Sequence, residues 1–128
     1  MATLALIEDD ALIRTSTEML LQASGHRAIA AENGNELAEK IAAWGIQPDA
    51  LLCDFHLGQQ TALEAVPEAL REIKGRVPVY VITGDASPAV KSKIQANGWY
   101  RLCKPLTPYE LLFTVSQIER SATPRAAS

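Results

Sequence analysis

Apolar residues are arranged along the chain in two alternating ways. Short unbroken runs occur at Thr3-Leu4-Ala5-Leu6-Ile7, at Arg27-Ala28-Ile29-Ala30, over residues 50 to 54, at Val77-Pro78-Val79-Tyr80-Val81-Ile82 and from Tyr100 to Cys103. Between them lie longer segments whose apolar residues recur every three or four positions. The unbroken runs fit strands buried on both faces of a parallel sheet, and the spaced segments fit helices that cover it.

The helices carry their own start and stop signals. The first is expected over residues 11 to 24, with Asp10 as N-cap, a stripe of Ile13, Thr17, Leu20, Leu21 and Ser24, and Gly25 as the stop. Leu12 and Met19 fall to one side of that stripe, which fits a wide core stripe or a partner surface equally well. The second helix opens at Asn33-Gly34, runs through Leu37, Ala38, Ile41 and Trp44, and stops at Gly45; Trp44 is expected to anchor its end in the core. The third is expected over roughly residues 60 to 74, with Leu63, Val66, Leu70 and Ile73 inward. Pro67 inside it predicts a kink or a helix that starts near it, because a mid-helix proline removes a hydrogen bond and clashes with the preceding turn. Ser87-Pro88 starts a fourth helix over residues 88 to 97, and Thr107-Pro108 caps a fifth with Leu111, Leu112, Val115 and Ile118 on its apolar side.

Five strands alternating with five helices imply an α/β fold with a doubly wound parallel sheet, and the right-handed crossover rule leaves few topologies. The order 2-1-3-4-5 is expected, with residues 1–120 as one domain and residues 121–128, which lack periodicity, as a disordered tail. Composition agrees with this simple organisation. The chain has 128 residues, a normal length for one domain, and its 12 basic and 15 acidic side chains leave a net charge of −3. That balance argues against direct nucleic-acid binding over the whole surface. The apolar runs are too short to span a membrane, and the N-terminus enters a strand pattern with no basic and apolar signal segment, so a cytoplasmic location is expected. Cys53 and Cys103 both lie in apolar runs and read as small buried hydrophobes.

The chemistry lies where the strands end. The first run stops at Glu8-Asp9-Asp10, the third at Asp54, the fourth at Thr83-Gly84-Asp85 and the fifth at Lys104-Pro105. In the expected order, strands one and three are neighbours at the switch point, so Glu8 and Asp9 come beside Asp54 at the ligand-binding edge. Three carboxylates gathered there repel one another unless some are protonated or a cation neutralises them. All-oxygen ligands on an open rim suit Mg²⁺, which takes its remaining oxygens from water and phosphate. Asp54 is thereby a candidate nucleophile for a phosphoryl group, with Asp9 and Asp54 on the metal and the Thr83 hydroxyl and Lys104 ammonium on the phosphoryl oxygens.

This acidic pair, Asp, Thr-Gly and Lys-Pro, each at a strand end and in this order, resembles the receiver domain of two-component response regulators, with a CheY-like, flavodoxin-like fold, over residues 3 to 120. The resemblance implies Asp54 as the phosphoacceptor, Asp9 as direct metal ligand, Glu8 as the acid acting through water, and the His56 backbone carbonyl as completing the Mg²⁺ coordination. It implies Thr83 as the switch hydroxyl, followed by Gly84, and Lys104 as the phosphate-binding lysine, aimed by a cis bond to Pro105. The implied partners are a histidine kinase or histidine phosphotransfer protein and a downstream protein or fused output domain. The output surface would lie around helix four, strand five and helix five, where Lys91, Lys93 and Arg101 fall.

Departures from the family pattern are local. Gly58 and Ala62 stand where the family commonly has proline and glycine, and Arg101 stands where it places a switch aromatic, with Tyr100 one residue earlier. A one-residue shift sends a strand side chain to the other face, so Tyr100 is no substitute. The His56 ring is read as tuning water access at the mouth of the site. The leading expectation is a phospho-accepting signalling domain that catalyses only its own phosphorylation and dephosphorylation; the alternative is a non-switching interaction module on the same fold. The wording from Arg101 to Leu106 is similar to receivers of hybrid sensor histidine kinases.

Overall fold

The computed structural model describes residues 1–127, with side chains described through Ser121. The five strands are β1 (Thr3–Ile7), β2 (Arg27–Ala31), β3 (Ala50–Asp54), β4 (Val79–Thr83) and β5 (Tyr100–Cys103). The helices are α1 (Ala11–Ala23), α2 (Gly34–Trp44), α3 (Ala62–Leu70), α4 (Pro88–Ala96) and α5 (Pro108–Ala127). All strand pairs in the main sheet are parallel, in the order β2-β1-β3-β4-β5, as the alternation of elements predicts. A small antiparallel ribbon pairs His56–Leu57 with Gln60–Thr61 between β3 and α3. The tail expected over residues 121–128 lies, beyond Ser121, outside the residues described with their side chains.

The sheet is buried on both faces, and strand alternation sorts its side chains into two cores. Leu4, Leu6, Leu52 and Ile82 pack with Leu21 of α1 and with Leu111, Val115 and Ile118 of α5. Ile7, Leu51, Cys53 and Val81 pack on the other side with Leu37 and Ile41 of α2, Ala65 and Val66 of α3, and Val90 and Ile94 of α4. This two-sided burial explains why the strands read as unbroken apolar runs.

The caps form as the sequence predicts. Asp10 accepts from the Ile13 amide at 3.0 Å, Asn33 from Glu36 at 2.8 Å and Ser87 from Val90 at 3.3 Å. Gly45 ends α2 at φ 64°, a backbone conformation that glycine adopts without strain. At α3, Thr61 and Glu64 form a reciprocal capping box, so the helix starts at Ala62, well before Pro67, and crosses the proline. It ends one turn later at Leu70, which corrects both the 60–74 span and the expectation of a start near Pro67.

Three burial expectations are also corrected. Trp44 is 52% exposed, with the Lys40 ammonium 5.9 Å from its ring centroid, because α2 ends there and Ile46 packs against the core instead. Cys103 is exposed, since β5 is an edge strand with a neighbour on one side only, whereas Cys53 in the central β3 is buried. Ile13, assigned to the inward stripe of α1, is 47% exposed. Leu12 and Met19, at 77% and 63% exposed, confirm that α1 presents an apolar surface.

Helices α2 and α3 meet at closest approach through Gly34. A methyl group there would lie 2.3 Å from the Ala65 carbonyl oxygen and 2.7 Å from a Glu68 carboxylate oxygen. Backbone cannot yield as a flexible side chain would, so Gly34→Ala is expected to destabilise the fold by about 2 kcal/mol, read as a lower urea midpoint with an unchanged m-value.

Candidate phosphorylation site

The register of the sheet builds the site. Ile7 pairs with Cys53, so Glu8 follows directly beside Asp54, and Thr83 pairs with Cys103, so Lys104 follows at the same rim. Leu6, Leu52 and Leu102 share the face covered by α1 and α5, and two residues further along their strands come Glu8, Asp54 and Lys104. All three line one cleft of about 480 Å³ between α1 and the start of α5, over Leu6 and Leu52. Thr83 belongs to the opposite parity, that of Val79 and Val81, which face α4.

Glu8, Asp9 and Asp54 each offer a carboxylate oxygen, and these oxygens all lie within 4.8 Å of one another. Asp9 is exposed, whereas Glu8 and Asp54 are buried at 4% and 5% exposure. Burial pushes the Glu8 carboxyl up to about 7, against the pull of the Asp10 amide that donates to it at 3.1 Å, and the negative charge of Asp54 adds to the rise. Lys104 Nζ lies 2.9 Å from Asp54 Oδ2. Desolvation draws the Lys104 ammonium down, but the hydrogen bond and charge of Asp54, with Glu8 and Asp9 behind it, outweigh that and leave it raised. The Lys104 ammonium therefore faces three carboxylates. Such a donor set fits a hard divalent cation with oxygen ligands.

The remaining groups frame this cluster. Thr83 is 2% exposed, and its hydroxyl accepts from the Asp85 amide at 2.9 Å. His56 is exposed; its Nε2 lies 3.3 Å from Asp85 Oδ2, and its ring sits edge-on to buried Phe55 at 4.9 Å. Gly58 holds φ 72° in the turn of the short ribbon, where a side chain would meet Asp9 Oδ2 at 3.4 Å. The Lys104–Pro105 bond is cis. Gly84 is exposed, and a methyl group there would be in ordinary contact with the Lys104 side chain at 3.7 Å.

Arg101 stands apart from the cluster: its guanidinium donates to Cys103 Sγ at 3.2 Å. Tyr100 stacks on Tyr80 at 4.9 Å, opposite it in the strand register. Two further residues beside the cluster carry little signal in the sequence. Asp85, an acid two residues after the hydroxyl, was visible only as part of a strand-ending cluster. Arg14, which donates to the Glu8 backbone carbonyl at 2.8 Å, carried no signal beyond its position in α1.

A family model for the response regulator receiver domain matches residues 4–116. The chain belongs to that family. The receiver is 29% identical over 96 residues to the CAI-1 autoinducer sensor kinase/phosphatase CqsS of Vibrio cholerae, covering 73% of this chain and 14% of that protein. It is 29% identical over 124 residues to the nitrate/nitrite response regulator protein NarL of Escherichia coli, covering 91% of this chain and 54% of NarL. The chain thus spans about half of one curated relative and a small part of the other. Among solved structures it superposes on the chemotaxis protein CheY4 of Vibrio cholerae with a TM-score of 0.79 at 26% identity, covering 92% of this chain and 98% of that one. A response regulator receiver protein from Burkholderia phymatum gives 0.76 at 25% identity, covering 92% and 94%. Among the described residues, no helix of the receiver is long and apolar enough to cross a membrane.

The raised Glu8 value fixes the sign of a pH effect. Between its ordinary value of 4.5 and about 7, the folded receiver holds a proton that the unfolded chain has lost. The stability contributed by this group is full below 4.5, falls as pH rises through that window, and is flat above it. In metal-free protein, Glu8→Gln is expected to flatten this part of the stability–pH curve, measured by urea melts at several pH values.

Proposed function

We propose that this receiver is a phospho-accepting module of a two-component phosphorelay, which takes a phosphoryl group from a phosphohistidine onto Asp54. The observation that carries this reading is the 2.9 Å contact of Lys104 Nζ with Asp54 Oδ2 inside a carboxylate cluster, a fixed cation beside a buried nucleophile. An Asp54 carboxylate oxygen forms the bond to phosphorus while the phosphorus–nitrogen bond of the donor breaks. The imidazole leaves with that electron pair and takes up a proton from solvent. Mg²⁺, when bound, neutralises the carboxylates and a phosphoryl oxygen; Asp9 and Asp54 would hold it directly, Glu8 through water and His56 through its carbonyl. Lys104 and the Thr83 hydroxyl meet the other phosphoryl oxygens, where they neutralise charge that grows in the transition state.

The donor is a histidine kinase or a histidine phosphotransfer protein. Its docking surface is α1, whose exposed Leu12 and Met19 offer apolar contact on the helix that also lines the cleft, through Ile13 and Leu20. The aspartyl-phosphate adds negative charge that draws Thr83 and Lys104 toward it and biases the surface of α4, β5 and α5, where Lys91 and Lys93 are exposed. A downstream protein or a fused output domain reads that surface. One observation favours the non-switching module as a second reading: Arg101 points its guanidinium at Cys103 where the family places a switch aromatic.

Incubation with Mg²⁺ and acetyl phosphate is expected to add one phosphoryl group, seen by intact mass. Asp54→Asn abolishes the addition, and Lys104→Ala slows it about a hundredfold, the usual scale for removing one electrostatic stabiliser. Failure of the native chain to gain the group would favour the non-switching module. Charging the apolar surface of α1 with Leu12→Asp and Met19→Asp together is expected to slow transfer from a phosphohistidine protein by about tenfold or more while leaving the acetyl phosphate reaction unchanged.

A further inference from the structure

Thr83 ends β4 on the opposite face of the sheet to Glu8, Asp54 and Lys104, so the aim of its hydroxyl depends on the turn that follows β4. That turn is pinned through Asp85. Its backbone amide donates to Thr83 Oγ1 at 2.9 Å, while one carboxylate oxygen accepts from the Ser87 amide at 2.9 Å. The other oxygen faces His56 Nε2 at 3.3 Å. His56 lies two residues beyond Asp54 on the short ribbon, and its ring is seated edge-on against buried Phe55. The contact therefore ties the loop after β3 to the loop after β4, one anchored on a core aromatic and the other on the first turn of α4.

We propose that His56 and Asp85 form a bridge across the mouth of the site that positions the Thr83 hydroxyl. A threonine hydroxyl has one hydrogen to give. With Oγ1 held as acceptor by the Asp85 amide, that hydrogen is left for an oxygen outside the turn, and on the phospho-accepting reading, on which this inference rests, the oxygen is that of the phosphoryl group. His56 and Asp85 are positioning residues: they act through Thr83 and do not touch the reacting atoms with their side chains. The bridge needs only a hydrogen on Nε2.

The test uses the full chain and two readouts. His56→Phe keeps a ring for Phe55 and removes the donor; His56→Gln keeps a donor; Asp85→Ala removes the acceptor. Amide hydrogen exchange at residue 85 of unphosphorylated protein is expected to quicken about fivefold in His56→Phe, the scale of one lost hydrogen bond, and to be restored in His56→Gln. Phosphorylation of Asp54 by acetyl phosphate is expected to slow by a similar factor in His56→Phe and in Asp85→Ala, with the double variant no slower than either single one. Unchanged exchange at residue 85 in His56→Phe, or additive effects in the double variant, would overturn the bridge. A native chain that gains no phosphoryl group, while exchange responds as expected, leaves the bridge standing and removes the phospho-accepting reading instead.

Discussion

The site depends on one electrostatic constraint: three carboxylates are held close together, two of them buried, with one lysine to balance them. Glu8 and Asp54 occupy adjacent ends of β1 and β3, where the parallel register leaves them no freedom to separate. The balance is struck locally. Lys104 gives its hydrogen bond to Asp54, the Asp10 amide gives another to Glu8, and Glu8 still sits high enough to hold a proton near neutral pH. Carboxylates crowded in this way form an oxygen donor set of the kind that suits a hard divalent cation.

That constraint accounts for the division of labour around the sheet. The two cores on its faces fix the strands, and the strands fix which side each functional group comes from. Glu8, Asp54 and Lys104 emerge on the α1 and α5 side, at the end of a cleft flanked by exposed apolar residues of α1. Thr83 emerges from the α4 side. The turn that holds Thr83 lies between the two sides, and Asp85 is hydrogen-bonded there both to Thr83 and to His56.

The edge strand β5 shows how a local substitution changes a surface without changing the fold. Arg101 and Tyr100 keep the strand pairing with Val81 and Tyr80, yet the aromatic ring lies on the α5 side, stacked on Tyr80, and the guanidinium turns back to Cys103. A receiver fold with the carboxylates of Glu8, Asp9 and Asp54 gathered at one rim is thus combined with a surface whose side-chain chemistry is its own.

Much of this was legible in the chain itself. Unbroken apolar runs, caps and glycine stops determined the strands, the helices and their order, because strand burial and helix capping are short-range demands that each residue answers locally. The polar strand ends determined which residues meet, since the parallel topology fixes where every strand finishes. Only the tertiary structure decided the rest. Trp44 turned out because α2 ends where it does, Cys103 is exposed because β5 has one neighbour, and Pro67 is crossed because the Thr61–Glu64 capping box sets the start of α3. The His56–Asp85 contact joins residues 29 positions apart through two loops, and loop conformation follows from what packs beneath it, which no periodicity in the sequence records.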